Sequence, residues 1–100
     1  MRYEDKKFEK LCTDEREMRK RRSDVAQGLR RRINALNVAK DVGELLVCDP
    51  LGKWHALTGD LDGCWAGKLN ANYRLLVRPE GSADPLRAVT VTAIEIIDYH

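Results

Sequence analysis

The segment that decides the fold is residues 64–78, which read CWAGKLNANYRLLVR. Two runs suited to β-strands, at 64–69 and 73–78, flank the three-residue connection Asn-Ala-Asn at 70–72. A connection this short joins antiparallel neighbours, because parallel strands need a crossover of a dozen or more residues. The segment therefore predicts a β-hairpin within an antiparallel sheet.

Further strands are predicted on either side of this hairpin. Residues 53–57 form a short strand-like run before a loop at 58–63, and the turn-forming segment 79–85 leads into a run of branched residues at 88–97. Branched side chains favour the pleated, half-buried surface of a sheet. Tyr3 is a candidate for an additional short strand near the N-terminus.

The first 45 residues show helical periodicity instead. Apolar residues at 8, 11, 12 and 18 recur near one helical face, with Glu4 or Asp5 near its start. A second helix has its N-cap at Ser23-Asp24 and an apolar stripe at 25, 29, 33 and 36, and a short helical turn follows at 41–45. The pattern predicts a single α+β domain over residues 1–100, with two N-terminal helices packed on an antiparallel β-sheet meander.

Composition excludes several classes of protein. The chain is 43% hydrophobic and 34% charged, which is typical of a soluble globular domain. No stretch is long and apolar enough to cross a bilayer, and residues 1–6 lack the apolar segment of a signal peptide, so we expect a cytoplasmic location and no membrane partner. Cys12, Cys48 and Cys64 are odd in number and form no CxxC pair, so no metal or cofactor is expected; a zinc site built with the histidines is the less favoured alternative.

The charge is unevenly distributed along the chain. Residues 1–40 hold 13 Lys and Arg against 7 Asp and Glu, whereas residues 41–100 hold 5 against 9. Such a basic cluster suits a polyanion, because each phosphate that is neutralised releases counterions. The residues expected to contact the phosphates of such a polyanion are Arg19, Arg22, Arg30 and Arg31. The alternative interpretation is a solvated helix face balanced by Glu15, Glu17 and Asp24.

The densest group of acid and base side chains is at the end of the sequence. Asp98, Tyr99 and His100 follow the last predicted strand, and His55 is the only other histidine. Alternation along a strand would place Asp98 and His100 on one face, about 7 Å apart, with Tyr99 on the other. An imidazole and a carboxylate held in this way are suited to acid–base catalysis.

Four motifs together resemble the HigB branch of the RelE/ParE toxin superfamily. They are WHALTGD at 54–60, GCW at 63–65, NYRL at 72–75 and IDYH at 97–100, and the resemblance runs over nearly the whole chain. It implies a RelE-like fold and the toxin of a type II toxin-antitoxin pair. Such toxins enter the ribosomal A site and cut messenger RNA without a metal ion. A cognate antitoxin, often a HigA-like helix-turn-helix protein, holds the toxin inactive and binds the operator DNA of the shared operon.

The resemblance also implies functional positions. His55, Asp98, Tyr99 and His100 fall on catalytic or near-catalytic positions of the family, and Asn72 and Arg74 on positions that line the RNA site. Several members carry a lysine where this chain has Thr58. Lys53 and Lys68 are the candidates to replace that positive charge.

Each of these residues also has an ordinary structural interpretation. His55 could be a hydrogen-bonded core histidine, Arg74 could pair with Asp98 or Asp60, and the last residues could be a solvated terminus. Trp54, Trp65 and Tyr73 are expected to be core aromatics. The functional alternatives are a ParE-like inhibitor of DNA gyrase, which would need no acid–base set, and an inactive module that binds nucleic acid or antitoxin.

Overall fold

The computed structural model of the chain describes residues 1–98 and confirms the α+β class. Within these residues a five-stranded sheet has the order β1-β5-β4-β3-β2, and only β1 runs parallel to its neighbour. No helix in this part of the chain is both long and apolar enough for a transmembrane span. The strands are β1 (Arg2–Tyr3), β2 (His55–Ala56), β3 (Trp65–Lys68), β4 (Tyr73–Glu80) and β5 (Thr90–Asp98); the helices are α1 (Lys6–Thr13), α2 (Glu15–Arg21), α3 (Ala26–Val38) and α4 (Val42–Cys48).

The predicted hairpin is confirmed in its register and its turn. Trp65 pairs with Val77 and Lys68 with Arg74 across β3 and β4. The side-chain oxygen of Asn70 accepts hydrogen bonds from the backbone N–H groups of Asn72 and Tyr73, both at 2.8 Å. Asparagine stabilises tight turns in this way, so the connection has a local cause in the sequence.

Strand β4 is longer than predicted, because it continues through Pro79 to Glu80. Pro79 pairs with Val91 on β5, beyond the point where β3 ends. On that side β4 is an edge strand, and an edge tolerates a residue that has no N–H to donate. The turn predicted to begin at residue 79 therefore begins later.

The first predicted helix is two helices, separated at Asp14. Asp14 ends α1, and its side-chain oxygen accepts hydrogen bonds from the N–H groups of Arg16 and Glu17 at the start of α2. In a continuous helix these N–H groups would donate to backbone carbonyls of the preceding turn; the Asp14 side chain replaces those carbonyls, so a new helix can begin here. The expected acidic start is confirmed, because Asp5 caps α1 by accepting from the N–H of Phe8 at 2.7 Å.

The apolar stripe of α3 is confirmed, whereas its predicted N-cap is wrong. Val25, Leu29 and Ile33 are buried against the sheet and Leu36 is half-buried. The helix begins at Ala26 without a side-chain cap. The Asp24 carboxylate is bound instead by the Arg22 guanidinium, through two hydrogen bonds of 3.1 Å.

The helices cover one face of the sheet, and that face carries the core. Leu75, Val77 and Ala93 of β4 and β5 belong to the same buried cluster as the stripe of α3. Gly28 brings α3 against the backbone of Leu69, where a larger residue would collide with the Leu69 carbonyl. The opposite face of the sheet therefore carries the side chains that alternate with these core positions.

Candidate active site

Strand register brings three of the predicted site residues to the face of the sheet opposite the helices. His55 pairs with Ala66, which pairs with Leu76, and Lys68 pairs with Arg74. Residues directly opposite one another in an antiparallel pair share a face, and residues two apart on a strand do as well. His55, Lys68 and Arg74 therefore share this side, which we call the helix-free face. Strand spacing places the Cα atoms of His55 and Arg74 roughly 12 Å apart.

His55 is half-buried on the edge strand β2. Its Nδ1 atom lies 2.9 Å from the backbone carbonyl oxygen of Lys53. A carbonyl can only accept, so Nδ1 carries the proton, and Nε2 is the acceptor nitrogen of the neutral ring. Lys53 adopts a left-handed φ of 46° at the end of a 3-10 turn, which directs its carbonyl toward the ring.

Lys68 and Arg74 are two cations placed directly opposite each other on adjacent strands. Like charges in this position destabilise a sheet by roughly 0.2–1 kcal/mol. The Nη1 atom of Arg74 donates to the backbone carbonyls of Asn70, at 2.8 Å, and Tyr73, at 3.0 Å, which holds the guanidinium at the β3–β4 turn. Lys68 forms no ion pair with any other residue of the range 1–98. An ammonium and a guanidinium group side by side suit an anionic ligand.

A buried ion pair supports this face from the helix side. Arg32, only 5% exposed, donates from Nη1 to the backbone carbonyl of Lys68 at 3.1 Å, and its Nε lies 3.2 Å from the Asp49 carboxylate, without hydrogen-bond geometry. The same carboxylate accepts from the indole N–H of Trp54 at 2.9 Å. The Trp54 ring covers Gly67, where a Cβ would lie 2.6 Å from it. This network holds Trp54, which precedes His55, and Gly67, which precedes Lys68, in fixed positions.

Sequence analysis did not identify Arg32 or Asp49. The arginine triplet at 30–32 lies beside the apolar stripe of α3, so at least part of it is expected to be exposed; Arg30 and Arg31 are exposed and Arg32 is buried. The pairing of Arg32 with Asp49 depends on how α3 packs against a turn 17 residues later in the chain. No local pattern in the sequence indicates that contact.

Several basic residues of the helix layer, which consists of α1–α4 and the turns between them, are ion-paired. Arg19 and Arg30 both bind the Glu15 carboxylate, with Nε–oxygen distances of 3.2 and 3.0 Å. The hydrogen bond from Arg30 lowers the pKa of Glu15, and that from Arg22 lowers the pKa of Asp24. These contacts agree with the interpretation of a charge-balanced helix face. The exposed Arg31 forms no ion pair within residues 1–98.

The remaining predicted residues lie around the end of the sheet. Asn72 is exposed in the β3–β4 turn, Lys53 is exposed before β2, and Asp98 is exposed at the end of β5. Asp98 pairs with Tyr73, so alternation places it on the other face of the sheet from Arg74. Tyr99 and His100 lie outside the described residues. Thr58 is exposed before a 3-10 turn at Gly59–Leu61.

The core interpretation of the aromatic residues is also consistent with their positions. Trp54 is 5% exposed within the core, and Trp65 and Tyr73 are partly buried against it. The Arg22 guanidinium lies 4.8 Å from the centre of the Tyr73 ring, a cation–π contact that joins the end of α2 to the start of β4.

The cysteines are dispersed in the fold. Cys12 is buried, Cys48 is exposed and Cys64 is half-buried. Burial raises the pKa of the Cys12 thiol to about 12, which keeps it protonated and a poor metal ligand. Among residues 1–98, no three His, Cys, Asp or Glu side chains are grouped so that they could hold a metal ion.

Comparison with known proteins gives a family and a fold. Residues 1–84 match the sequence model of the family described as "RelE-like toxin of type II toxin-antitoxin system HigB". A chain of the YoeB-YefM complex from Staphylococcus aureus has the same fold, with a TM-score of 0.60, 15% identity, and coverage of 99% of this chain and 93% of that one. The YoeB/ParE toxin from Agrobacterium tumefaciens gives a TM-score of 0.53 at 20% identity, covering 87% of each chain.

No curated protein sequence matches the chain. The family match ends at residue 84, before β5, so it includes His55, Lys68 and Arg74 and does not include Asp98, Tyr99 or His100.

Proposed function

The chain belongs to the HigB family of RelE-like toxins of type II toxin-antitoxin systems, and we propose that it is a ribosome-dependent endoribonuclease that cuts messenger RNA in the A site. The family match covers residues 1–84, and the fold agrees with it. The proposal therefore has three parts: the chain cleaves RNA, it acts on the ribosome, and the reaction needs no metal ion.

The observation that carries this proposal is the in-register pair Lys68 and Arg74 on the face that also bears His55. Two opposed cations lose part of their mutual repulsion when a phosphate binds between them. An imidazole on the same face is a group that can transfer a proton near neutral pH. An anion site and a proton-transfer group on the same face are both needed to cut RNA.

The reaction we propose uses the RNA's own 2′-hydroxyl as the nucleophile. A base removes the 2′ proton, the 2′ oxygen bonds to phosphorus, and the bond from phosphorus to the 5′ oxygen breaks while an acid protonates that oxygen. The products are a 2′,3′-cyclic phosphate and a 5′-hydroxyl end. All the protons move between side chains and RNA, so the reaction requires no metal ion.

The roles follow from the chemistry of each side chain. His100 is the proposed base, and His55, protonated on both ring nitrogens, is the proposed acid or a donor to the phosphorane. Asp98, which the register places on the other face of the sheet from Arg74, would need a twist of the strand end to act as the base. Arg74, with Lys68 beside it, would stabilise the non-bridging oxygens as charge develops on them. Tyr99 would stack on or hydrogen-bond to a base of the RNA.

The surrounding cations would position the RNA and the ribosome. Lys53, just before β2, and Asn72, in the β3–β4 turn, would contact the messenger backbone. The helix-layer residues Arg19, Arg22, Arg30 and Arg31 would contact ribosomal RNA, where phosphates compete with Glu15 and Asp24 for their guanidinium groups.

A partner is also proposed. A chain of similar fold comes from the YoeB-YefM complex, so the fold is compatible with a stable assembly. We propose a HigA-like helix-turn-helix antitoxin as the partner, which would silence the toxin and would be the only contact with operator DNA.

Mapping of RNA 5′ ends after induction of the chain without its antitoxin tests the nuclease directly. We expect growth arrest with new ends inside translated codons, and we expect His55→Ala and the double variant Asp98→Ala with His100→Ala to remove them. Asp62→Ala, which changes an exposed loop carboxylate, is the control and should cut normally. DNA damage without new RNA ends would instead indicate gyrase inhibition.

A further inference from the structure

The short segment that leads into His55 is closed on itself. Residues 49–54, which we call the 49–54 loop, join the end of α4 to the start of β2. Two backbone hydrogen bonds of 3.1 and 3.2 Å fold the loop into a 3-10 turn. The Trp54 indole N–H then donates to the Asp49 carboxylate at 2.9 Å. A side-chain hydrogen bond therefore joins the last residue of the loop to the first.

The Trp54 ring fits closely into its surroundings, where it is 5% exposed. At one end of the ring, a Cβ on Gly52 would lie 2.6 Å from the indole nitrogen and 2.7 Å from the Asp49 carboxylate. At the other end, a Cβ on Gly67 would lie 2.6 Å from the six-membered ring. Backbone can approach the ring this closely only where it carries no Cβ. The indole is therefore held at both ends.

The strand that carries His55 gives its side chain little support. Strand β2 has two residues and lies at the end of the sheet, next to β3. Short segments with few contacts open locally more easily than central strands. A side chain on such a strand needs further contacts to keep one direction. One such contact is the 2.9 Å hydrogen bond from Nδ1 of His55 to the Lys53 carbonyl.

The direction of that carbonyl depends on an uncommon backbone conformation. Lys53 has φ 46° and ψ 43°, in the left-handed region. Residues other than glycine rarely adopt this conformation, and they keep it where the surrounding structure holds it. The bond between Trp54 and Asp49 closes the loop around Lys53 and supplies such a constraint. Release of the indole would let Lys53 turn its carbonyl away from the imidazole.

The acceptor of the indole is itself anchored to the helix layer. The N–H of Asp49 donates to the Leu45 carbonyl at 3.0 Å, at the end of α4. The Asp49 carboxylate lies 3.2 Å from Nε of the buried Arg32 on α3. Two helices therefore fix the carboxylate that fixes Trp54, and Trp54 is the residue before His55.

We propose that Asp49 and Trp54 are positioning residues for the His55 imidazole, an inference that rests on the proposed role of His55 in RNA cleavage. Their hydrogen bond keeps the Lys53 carbonyl aimed at Nδ1, so the neutral ring carries its proton there. A second proton is then taken up at Nε2, the nitrogen that would donate to the leaving 5′ oxygen. Neither positioning residue contacts the RNA, and both act through the direction of the ring.

Two double variants with the same charge test this inference. Arg32→Met with Asp49→Asn removes the buried ion pair and retains an acceptor for the indole, whereas Arg32→Met with Asp49→Leu removes the acceptor at nearly the same side-chain size. On programmed ribosomes, we expect the leucine variant to cut with a kcat at least about tenfold lower than the asparagine variant. The KM values should agree within about twofold, because Lys68 and Arg74 are unchanged. Equal kcat values in the two folded variants would overturn the proposal.

The ¹⁵N NMR signals of the His55 ring give a readout that does not depend on cleavage. The chain has two histidines, so adding His100→Ala to each chain leaves His55 as the single source of these signals. With the ring neutral, we expect the proton on Nδ1 in the parent chain and with Asp49→Asn, and a mixture of both tautomers with Asp49→Leu. The same tautomer in all three chains would overturn the proposal. If the tautomers differ as expected and the wild type cuts no RNA, the nuclease proposal fails while the positioning of the ring is supported.

Trp54→Phe provides a second test in case the leucine variant does not fold. It removes the indole N–H and leaves Arg32 paired with Asp49, and we expect kcat to fall by about tenfold with KM unchanged. Trp65→Phe makes the same change at a partly buried tryptophan of β3 and is the control, which should cut at nearly the wild-type rate. A loss of equal size in both variants, or in neither, would contradict the assignment of Trp54.

Discussion

The helix layer and the helix-free face of the sheet both carry arginine or lysine, but they hold these cations in different ways. In the helix layer Arg19 and Arg30 share Glu15, and Arg22 binds Asp24. On the helix-free face Lys68 stands opposite Arg74 in the strand register. Arg19, Arg22 and Arg30 are therefore held by carboxylates, whereas Lys68 and Arg74 are brought side by side by the strand register. The way in which each cation is held distinguishes the two regions more than the number of basic residues does.

The largest expected effect concerns the one buried arginine of the helix layer. Arg32→Met leaves the Asp49 carboxylate buried without its cation, and we expect a loss of about 3 kcal/mol in the free energy of unfolding. Chemical denaturation measures this change. Arg31→Met, at the exposed neighbouring position, is the matched control and should change stability by less than about 0.5 kcal/mol.

A second substitution distinguishes the effect of losing the ion pair from the effect of losing the packing of the Arg32 side chain. Asp49→Asn, combined with Arg32→Met, removes the unpaired charge and retains an acceptor for the Trp54 indole. The double variant should recover part of the lost stability. If Arg32→Met alone unfolds at the wild-type denaturant concentration, the ion pair does not support the site.

An intermediate effect is expected at Lys68, with opposite signs for stability and activity. Lys68→Gln relieves the repulsion from Arg74, so the free energy of unfolding should rise by up to about 1 kcal/mol. Cleavage should fall by about tenfold, because one phosphate-binding charge is lost. Denaturation and cleavage are measured on the same protein. A variant that loses both stability and activity would indicate a structural role for Lys68 instead.

The smallest effect is the pH dependence of the Arg22–Asp24 pair in the helix layer. The Arg22 guanidinium lowers the pKa of Asp24 in the folded chain. A lowered folded-state pKa stabilises the fold above the ordinary carboxyl pKa of about 3.9, and this stabilisation is lost as pH falls through the folded value. Because the pair is partly exposed, we expect only about 0.2–1 kcal/mol.

Unfolding measured from pH 7 to pH 2 checks this expectation. Asp24→Asn should reduce the loss of stability on acidification, whereas Asp62→Asn, an unpaired loop position within residues 1–98, should reproduce the wild-type curve. Identical curves for wild type and Asp24→Asn would show that this pair contributes nothing.

The sequence predicts the strands well because their causes are local. The Asn-Ala-Asn turn and the apolar runs on both sides of it set the hairpin, and the register follows from the turn. The break at Asp14 also has a local signal, since aspartate followed three residues later by Glu17 is a capping pattern. The prediction of one continuous helix gave more weight to apolar periodicity than to that signal.

The site is less predictable because it depends on contacts between distant segments. The positions of His55, Arg74 and Lys68 on one face follow from the strand register once the fold is known. The pairing of Arg32 with Asp49 depends on how α3 packs against the turn before β2. No residue pattern within a single element specifies this contact.

The most direct test of the central claim, that the helix-free face cuts RNA, compares one arginine from each region. Single-turnover cleavage of messenger RNA on programmed ribosomes is measured for Arg74→Gln and for Arg30→Gln, with unfolding temperatures confirming that both variants fold. We predict that Arg74→Gln slows cleavage by about 10²–10³-fold and that Arg30→Gln slows it by no more than a few-fold. Cleavage by a folded Arg74→Gln variant at the wild-type rate, or an equal loss in both variants, would contradict the claim.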